Sequence, residues 1–299
     1  MRKKIVIICG PTASGKTALA INIAKKFNGE IISADSLAIY KKLDIGTAKP
    51  TLSERSEVKH HLIDVVEPTD KFSVSDYEEL TLPIIDDILN RGKLPIICGG
   101  TGFYINSILY KMSYGKTAEK LDIREKFMKM AETCGVDAVF NELIKVDYES
   151  SKKLHKNDLV RVIRALEIYY STGKKKSEQN DMLIPRFDYV AITPDIDRET
   201  LYSRIDKRVD VMIENGLVDE VKALIDSGIT LENQCMQGIG YKETYEAIIS
   251  NDYSNFAELI KLNSRHYAKR QNTFFRKLDG LIKVDAKTAI EVVKNFVNI

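Results

Sequence analysis

The sequence predicts an α/β fold: a P-loop-type parallel sheet flanked by helices, with a mainly helical insertion domain. Three observations predict it. Short β-branched runs alternate with helically spaced segments in the first hundred residues. A glycine-rich loop joins the first of those runs to the first helix. Strand-like runs then stop over a central stretch, where helical spacing takes over.

The elements follow in order. KIVIIC (4–9) reads as a buried first strand, GPTASGKT as a loop and TALAINIAKKF as a helix. The opening MRKKIVIICG mimics a secretion leader, but its apolar run is only about five residues and leads straight into the glycine loop. EIISAD after Gly29 is a second strand ending at Asp35. DYEELTLPIIDDILNR (76–91) is a helix, leading through Gly92 to a third strand, LPIICGG, and Thr101. The ends of open parallel strands are where ligands gather, so the loop, Asp35 and Thr101 are expected to converge. IREKFMKMAETCG and LVRVIRALEIYYSTG are helical, the latter closing at Gly173, and Lys174–Pro185 reads as a polar loop. YVAITP (189–194) restores strand character. RETLYSRIDKRVDVMIENG and DEVKALIDSG are helices closed by glycine, and LIKVD is a short strand in an otherwise helical C-terminal third. The expected division is a catalytic core of residues 1–114 and 189–299 around a helical insertion domain of 115–188.

Composition excludes several classes. With 44% hydrophobic and 29% charged residues, the chain is an ordinary globular protein. No apolar run approaches the 18 or so residues of a membrane span. Cys9, Cys98, Cys134 and Cys235 show no CxxC spacing, which argues against a zinc site or disulfide framework and for the cytoplasm. His60 and His61 read as loop residues, and His155 as structural. Net charge is only +2, but Lys261–Lys283 holds seven cationic residues against Asp279, interleaved with Tyr267, Phe274 and Phe275. Such a stretch is either a solvated helix face with its aromatics in the core or a nucleic-acid surface.

The strongest chemical signal is Gly10-Pro11-Thr12-Ala13-Ser14-Gly15-Lys16-Thr17, a phosphate loop placed between strand and helix as that motif requires. Gly10 and Gly15 permit tight turns that aim N–H groups inward, and the helix N-terminus adds its positive dipole end. Lys16 supplies a mobile charge and Thr17 a hydroxyl suited to Mg²⁺. A nucleotide-hydrolysing enzyme would need an acid after LPIICGG, where Thr101 stands instead. Asp35 is the acid that does end a strand. It is suited to a metal or to general-base work, and equally to capping a turn with Ser36.

Taken together, GPTASGKTALA, DSLAIYKKLDIGTAKP (35–50), GGTGFYI (99–105), NDLVRVIRALE (157–167), RETLYSRIDKRVDVMIENGLVDEV (198–221), QGIGYKE (237–243) and KRQNTFFR (269–276) resemble the tRNA dimethylallyltransferase family in its bacterial form. The resemblance implies transfer of a dimethylallyl group from dimethylallyl diphosphate to the exocyclic amine of the adenosine 3′-adjacent to the anticodon, in tRNAs reading codons that begin with U. It implies Asp35 as the base, Thr101 as its hydrogen-bonding companion, and Lys16, Mg²⁺ on Thr17 and Arg208 as stabilisers of the departing diphosphate. On the residues alone, Arg208 is equally a surface partner of Asp206 or Asp210.

The partners implied are a tRNA anticodon stem-loop and the prenyl diphosphate, with no membrane and a monomeric enzyme. The implied tRNA contacts are Asp35, Ser36, Leu37 and Ala38; Thr101 and Arg124; Val160, Arg161, Val162, Ile163 and Arg164; Gln237, Gly238, Ile239, Gly240, Tyr241 and Lys242; and Lys269, Arg270 and Arg276. The chain departs from the family at Ala38, commonly glutamine, and at Gly238, commonly alanine, and lacks the zinc finger of eukaryotic members. Competing readings are a prenyltransferase of free adenylates, a nucleotide-driven kinase or switch, and a non-catalytic RNA-binding protein.

Overall fold

The computed structural model describes residues 3–112, 121–178 and 184–298. Its sheet orders six strands as β3-β2-β4-β1-β5-β6: β1 (Lys4–Cys9), β2 (Gly29–Ala34), β3 (His60–His61), β4 (Leu94–Gly99), β5 (Asp188–Pro194) and β6 (Ile282–Val284). Every neighbouring pair is parallel. Ile5 to Cys9 are buried along the whole of β1, as a parallel strand covered on both faces must be. His60 and His61 lie in a strand rather than a loop, because Ile31 and Ile32 of β2 pair with them and His61 Nε2 meets Glu30 Oε2 at 2.8 Å.

Register decides where the site forms. Cys9 stands opposite Gly99, and Gly99 opposite Ala34, so β1, β4 and β2 end level. The segments beginning at Gly10, Asp35 and Gly100 therefore leave the sheet side by side. Only glycine fits at 99, because a Cβ there would fall 2.1 Å from the Ala34 carbonyl oxygen.

Helices α1 (Lys16–Lys26), α2 (Leu52–Glu57), α3 (Val74–Asn90) and α4 (Gly102–Leu109) belong to the first half of this unit. Leu19 and Ile23 of α1 pack on Val6, Ile8, Ile31 and Ile96 of the sheet. Helix α3 starts two residues before the sequence pattern suggests, because Ser73 and Asp76 form a capping box across its first turn.

A second compact unit, Tyr110–Ile184, holds α5 (Leu121–Cys134), α6 (Val136–Val146), α7 (Tyr148–Ser151) and α8 (Leu159–Thr172). Phe127, Val139, Leu143, Val162, Ile163 and Leu166 form its core. Asp158 caps α8 and a left-handed Gly173 ends it. Within Lys174–Pro185, residues 176–178 form a short 3₁₀ turn, and residues 179–183 lie outside the described part.

The chain returns to the first unit at Pro185, and the remaining helices are α9 (Arg198–Glu214), α10 (Leu217–Asp226), α11 (Tyr241–Ser250), α12 (Phe256–Phe275) and α13 (Ala286–Asn298). The unit boundaries fall at 109/110 and 184/185, a few residues before those expected from the change in sequence pattern. No helix among the described residues is long and apolar enough to cross a membrane.

Candidate functional site

The phosphate loop leaves β1 through Gly10, whose φ of +144° and close approach to Thr193 exclude a side chain. It enters α1 through Gly15 at φ +91°, so the first amides of the helix face the loop's interior without a side-chain cap. Lys16 Nζ donates to the Pro11 carbonyl at 2.6 Å. Burial lowers the Lys16 pKa, and the nearby Arg208 charge pushes the same way, while the charge of Asp35 opposes the shift. Ser14 Oγ is buried with no hydrogen-bond partner. An orphan hydroxyl, a concentrated cation and free amides in one loop fit the oxygens of a phosphate. Thr17, half-buried at the start of α1, adds a second hydroxyl. Below the loop, burial raises the thiols of Cys9 and Cys98 to about 12 and about 11, so both stay protonated.

Asp35 serves the turn with one oxygen. Its Oδ1 accepts from the backbone N–H of Leu37 at 2.9 Å and of Ala38 at 3.2 Å. No hydrogen bond from the described residues engages Oδ2, and Asp35 lines the main cavity. Turn cap and base are therefore compatible in one side chain. Thr101 Oγ1 accepts from Ser36 N at 3.0 Å and lies 3.3 Å from Ser36 Oγ, which fixes the residue after Asp35. Tyr267 sits beside Thr101 and Gln271. Burial, with the charge of Asp35, pushes its hydroxyl up to about 12, so it remains a donor.

Arg208 is not a surface partner of its neighbours. Asp206 pairs with Arg265 at 2.5 Å and Asp210 with Lys261 at 2.8 Å. The Arg208 guanidinium turns inward, donates to the Thr47 carbonyl at 2.9 Å, and shares a cavity with Asp35. Burial lowers its pKa, and Asp35 opposes that shift.

The cavity measures about 350 Å³. Thr12, Asp35, Ser36, Arg208, Tyr267 and Arg270 contribute polar groups to its lining; Leu37, Ile205, Val209, Met212, Ile239 and Ile260 contribute apolar ones. A volume of that size with a few convergent polar groups suits a small ligand of mixed character.

The expected RNA contacts divide sharply. Gln237, Gly238, Ile239 and the exposed Arg270 line the cavity, while Lys242 on α11, Lys269 on α12 and Arg276 just after α12 are exposed. Ala38 is buried, and so is Tyr241, which is packed under Gly46 with its hydroxyl on Glu220 at 2.7 Å. Gly240, also buried, starts α11 at φ +95°. In the helical unit Val162 and Ile163 are core residues, so their side chains cannot meet RNA, whereas Val160 and Arg161 face outward. Arg124 and Arg164 of that unit both bond to Glu167. Phe275 is core, as its spacing suggests, and Phe274 lies half-buried against Phe103 with ring centroids 5.8 Å apart.

Two residues that lie within the quoted motifs but were not among the expected site residues also shape the site. Gln271 accepts from Thr12 N at 2.9 Å and donates to the Gly100 carbonyl at 3.0 Å, joining the phosphate loop to the segment that carries Thr101. A polar residue in the buried Ala268–Gln271–Phe275 stripe of α12 is the signal that marks it. Glu220 gathers the backbone amides of Asp44, Ile45 and Gly46, and no sequence pattern announces that role.

A family profile described as IPP transferase matches residues 38–278. The tRNA dimethylallyltransferase of Acetivibrio thermocellus is 46% identical over 281 residues, 93% of this chain and 90% of the relative. That of Bacillus cytotoxicus is 48% identical over 285 residues, 93% and 89% of the two chains. Among solved structures, the full-length tRNA isopentenylpyrophosphate transferase of Bacillus halodurans superposes with a TM-score of 0.73 at 40% identity, covering 100% of this chain and 96% of that one. A eukaryotic dimethylallyltransferase acting on tRNA superposes with a TM-score of 0.86 at 34% identity, covering 99% and 80%.

Proposed function

The chain belongs to the IPP transferase family, the tRNA-modifying dimethylallyltransferases, and from that premise we propose how its site performs the reaction. The enzyme transfers the dimethylallyl group of dimethylallyl diphosphate to the exocyclic amine of the adenosine 3′-adjacent to the anticodon. Its substrates are tRNAs reading codons that begin with U, and its products are isopentenyladenosine and diphosphate. The observation that carries the reading is one cavity joining a carboxylate with a free oxygen, an inward arginine beside a phosphate loop, and apolar lining residues.

The adenine amine is a weak nucleophile. It attacks the allylic carbon while Asp35 Oδ2 takes its proton, and the C–O electron pair leaves with the diphosphate. Oδ1 is committed to the turn, which holds Oδ2 toward the cavity. Lys16, Arg208, Ser14 Oγ and the loop amides receive the growing negative charge in a site that excludes most water. The apolar lining residues of the cavity receive the five-carbon chain.

Thr17 is the loop hydroxyl suited to Mg²⁺. Bound there, the ion would neutralise charge on the leaving group.

Extruding the adenosine from its stack costs a few kcal/mol. Cationic residues on α12 (Lys269, Arg270) and just beyond it (Arg276) would offset that cost by holding loop phosphates. The working form is a cytoplasmic monomer whose own residues line the cavity.

The test is stoichiometry. With dimethylallyl diphosphate, Mg²⁺ and unmodified tRNA, one diphosphate should appear per prenylated adenosine. Phosphate release from ATP or GTP without prenylation would overturn the reading in favour of a nucleotide-driven protein.

A further inference from the structure

We propose that Glu220 is a positioning residue for the prenyl transfer, setting the place of the Arg208 guanidinium through the loop Asp44–Thr47. Glu220 rises from the first turn of α10, just after Gly216 at φ +96°. Its Oε2 accepts from Asp44 N and Ile45 N, each at 2.8 Å; its Oε1 accepts from Gly46 N at 3.2 Å and from the Tyr241 hydroxyl at 2.7 Å. Four donors on one carboxylate fix three consecutive peptide units as firmly as a bound anion fixes a backbone nest. The far end of the loop is fixed too. Buried Lys49 bonds to the Tyr40 carbonyl at 2.6 Å, to Asp44 at 2.8 Å and to Asp64 at 2.6 Å.

One loop group reaches Arg208. The Thr47 side chain folds back to the Leu43 carbonyl at 2.6 Å, which leaves the Thr47 carbonyl to take the Arg208 N–H at 2.9 Å. Asp206 and Asp210 are held by Arg265 and Lys261, and Asp35 acts on Arg208 only through its charge across the cavity, so the Thr47 carbonyl is the hydrogen-bond acceptor of its guanidinium among the described residues. The arginine stands where the loop carbonyl puts it. Gly46 makes the arrangement compact, since a Cβ there would lie 2.6 Å from the Tyr241 ring. Glutamine at 220 would supply one acceptor oxygen, and its NH₂ would face amide donors, so the loop and the Thr47 carbonyl would shift.

The inference rests on Arg208 acting on the leaving group, and the experiment separates the two. Single-turnover prenylation is measured with saturating tRNA and donor for Arg208→Ala, Glu220→Gln and the double variant, with melting temperature and tRNA affinity recorded for each. Arg208→Ala is expected to slow the step about a hundredfold. Glu220→Gln should slow it about tenfold with tRNA affinity intact, and by less than about twofold further when Arg208 is already alanine. Tyr241→Phe, which removes one donor from Glu220, should show a smaller loss with the same dependence on Arg208. Multiplicative losses, or a wild-type rate for Glu220→Gln, would overturn the positioning role. A wild-type rate for Arg208→Ala would overturn the premise itself.

Discussion

Gln271 accepts a hydrogen bond from the Thr12 backbone N–H at 2.9 Å, so a side chain of the basic helix α12 holds the phosphate loop in shape. Its amide donates to the Gly100 carbonyl at 3.0 Å, and a Cβ on Gly100 would lie 2.2 Å from that amide. The phosphate loop, the turn after β4 and α12 thus meet at one buried carboxamide. Gln271→Leu keeps the volume and leaves a buried N–H and C=O without partners, at a cost of about 1–3 kcal/mol. Steady-state kinetics should show KM for dimethylallyl diphosphate raised about tenfold or more. An unchanged KM would mean that the loop keeps its shape without the bridge.

Asp35 has two duties that substitution can split. Asp35→Asn retains an acceptor for the Leu37 and Ala38 amides but cannot take a proton. Turnover should fall about 10²–10⁴-fold with tRNA affinity and melting temperature near wild type. Asp35→Ala removes the cap as well, and should lose stability in addition to turnover. An active Asp35→Asn enzyme would leave only the turn-capping role.

The division between exposed and buried residues of the expected RNA surface has its own signature. Lys269→Ala or Arg276→Ala should weaken tRNA binding and reduce the slope of log K against log salt by about 0.7–0.9 for each phosphate that is no longer neutralised. Val162→Ala, in the core of the helical unit, should lower the melting temperature and leave that slope unchanged. Weaker tRNA binding by Val162→Ala at an unchanged melting temperature would place that side chain on the RNA after all.

Glu30 ties β2 to the segments after α3. It accepts from Arg91, Lys93 at 2.8 Å and His61 at 2.8 Å, with its own side chain buried. These bonds, the one from Arg91 foremost, hold its carboxyl well below the ordinary range. Its folded pKa lies below an unfolded value of about 4.3, so its stabilisation is present above that value and is lost as pH falls toward the folded one. Glu30→Gln should cost about 2 kcal/mol near neutrality, the partly exposed cations re-solvating in part. Thermal melts should show the gap to wild type narrowing below about pH 4.5. A gap constant with pH would contradict the ion-paired reading.

Much of this was legible in the sequence, for physical reasons. The phosphate loop is local chemistry, and Asp35 and Thr101 follow strands whose ends the sheet register sets level. Their convergence follows from parallel topology alone. Arg208 was ambiguous, because Asp206 and Asp210 stand close to it in sequence; their pairing with the distant Arg265 and Lys261 resolves the question. Gln271 and Glu220 act on backbone groups of remote segments, and no spacing rule reveals such bonds. The two-residue strand at His60–His61 is too short for alternation to show. The burial of Val162 and Ile163 was visible in their helical spacing, but motif position outweighed it.

The central proposal is that this site prenylates one adenosine of tRNA, and the mass of the product reports it. The direct measurement is mass analysis of a nuclease digest of unmodified tRNA after incubation with dimethylallyl diphosphate and Mg²⁺. The expected result is a gain of one C₅H₈ unit, carried by the adenosine immediately 3′ of the anticodon and absent from the Asp35→Asn reaction. No gain on adenosine while a known active relative modifies the same tRNA, or a gain at another nucleotide, would contradict it.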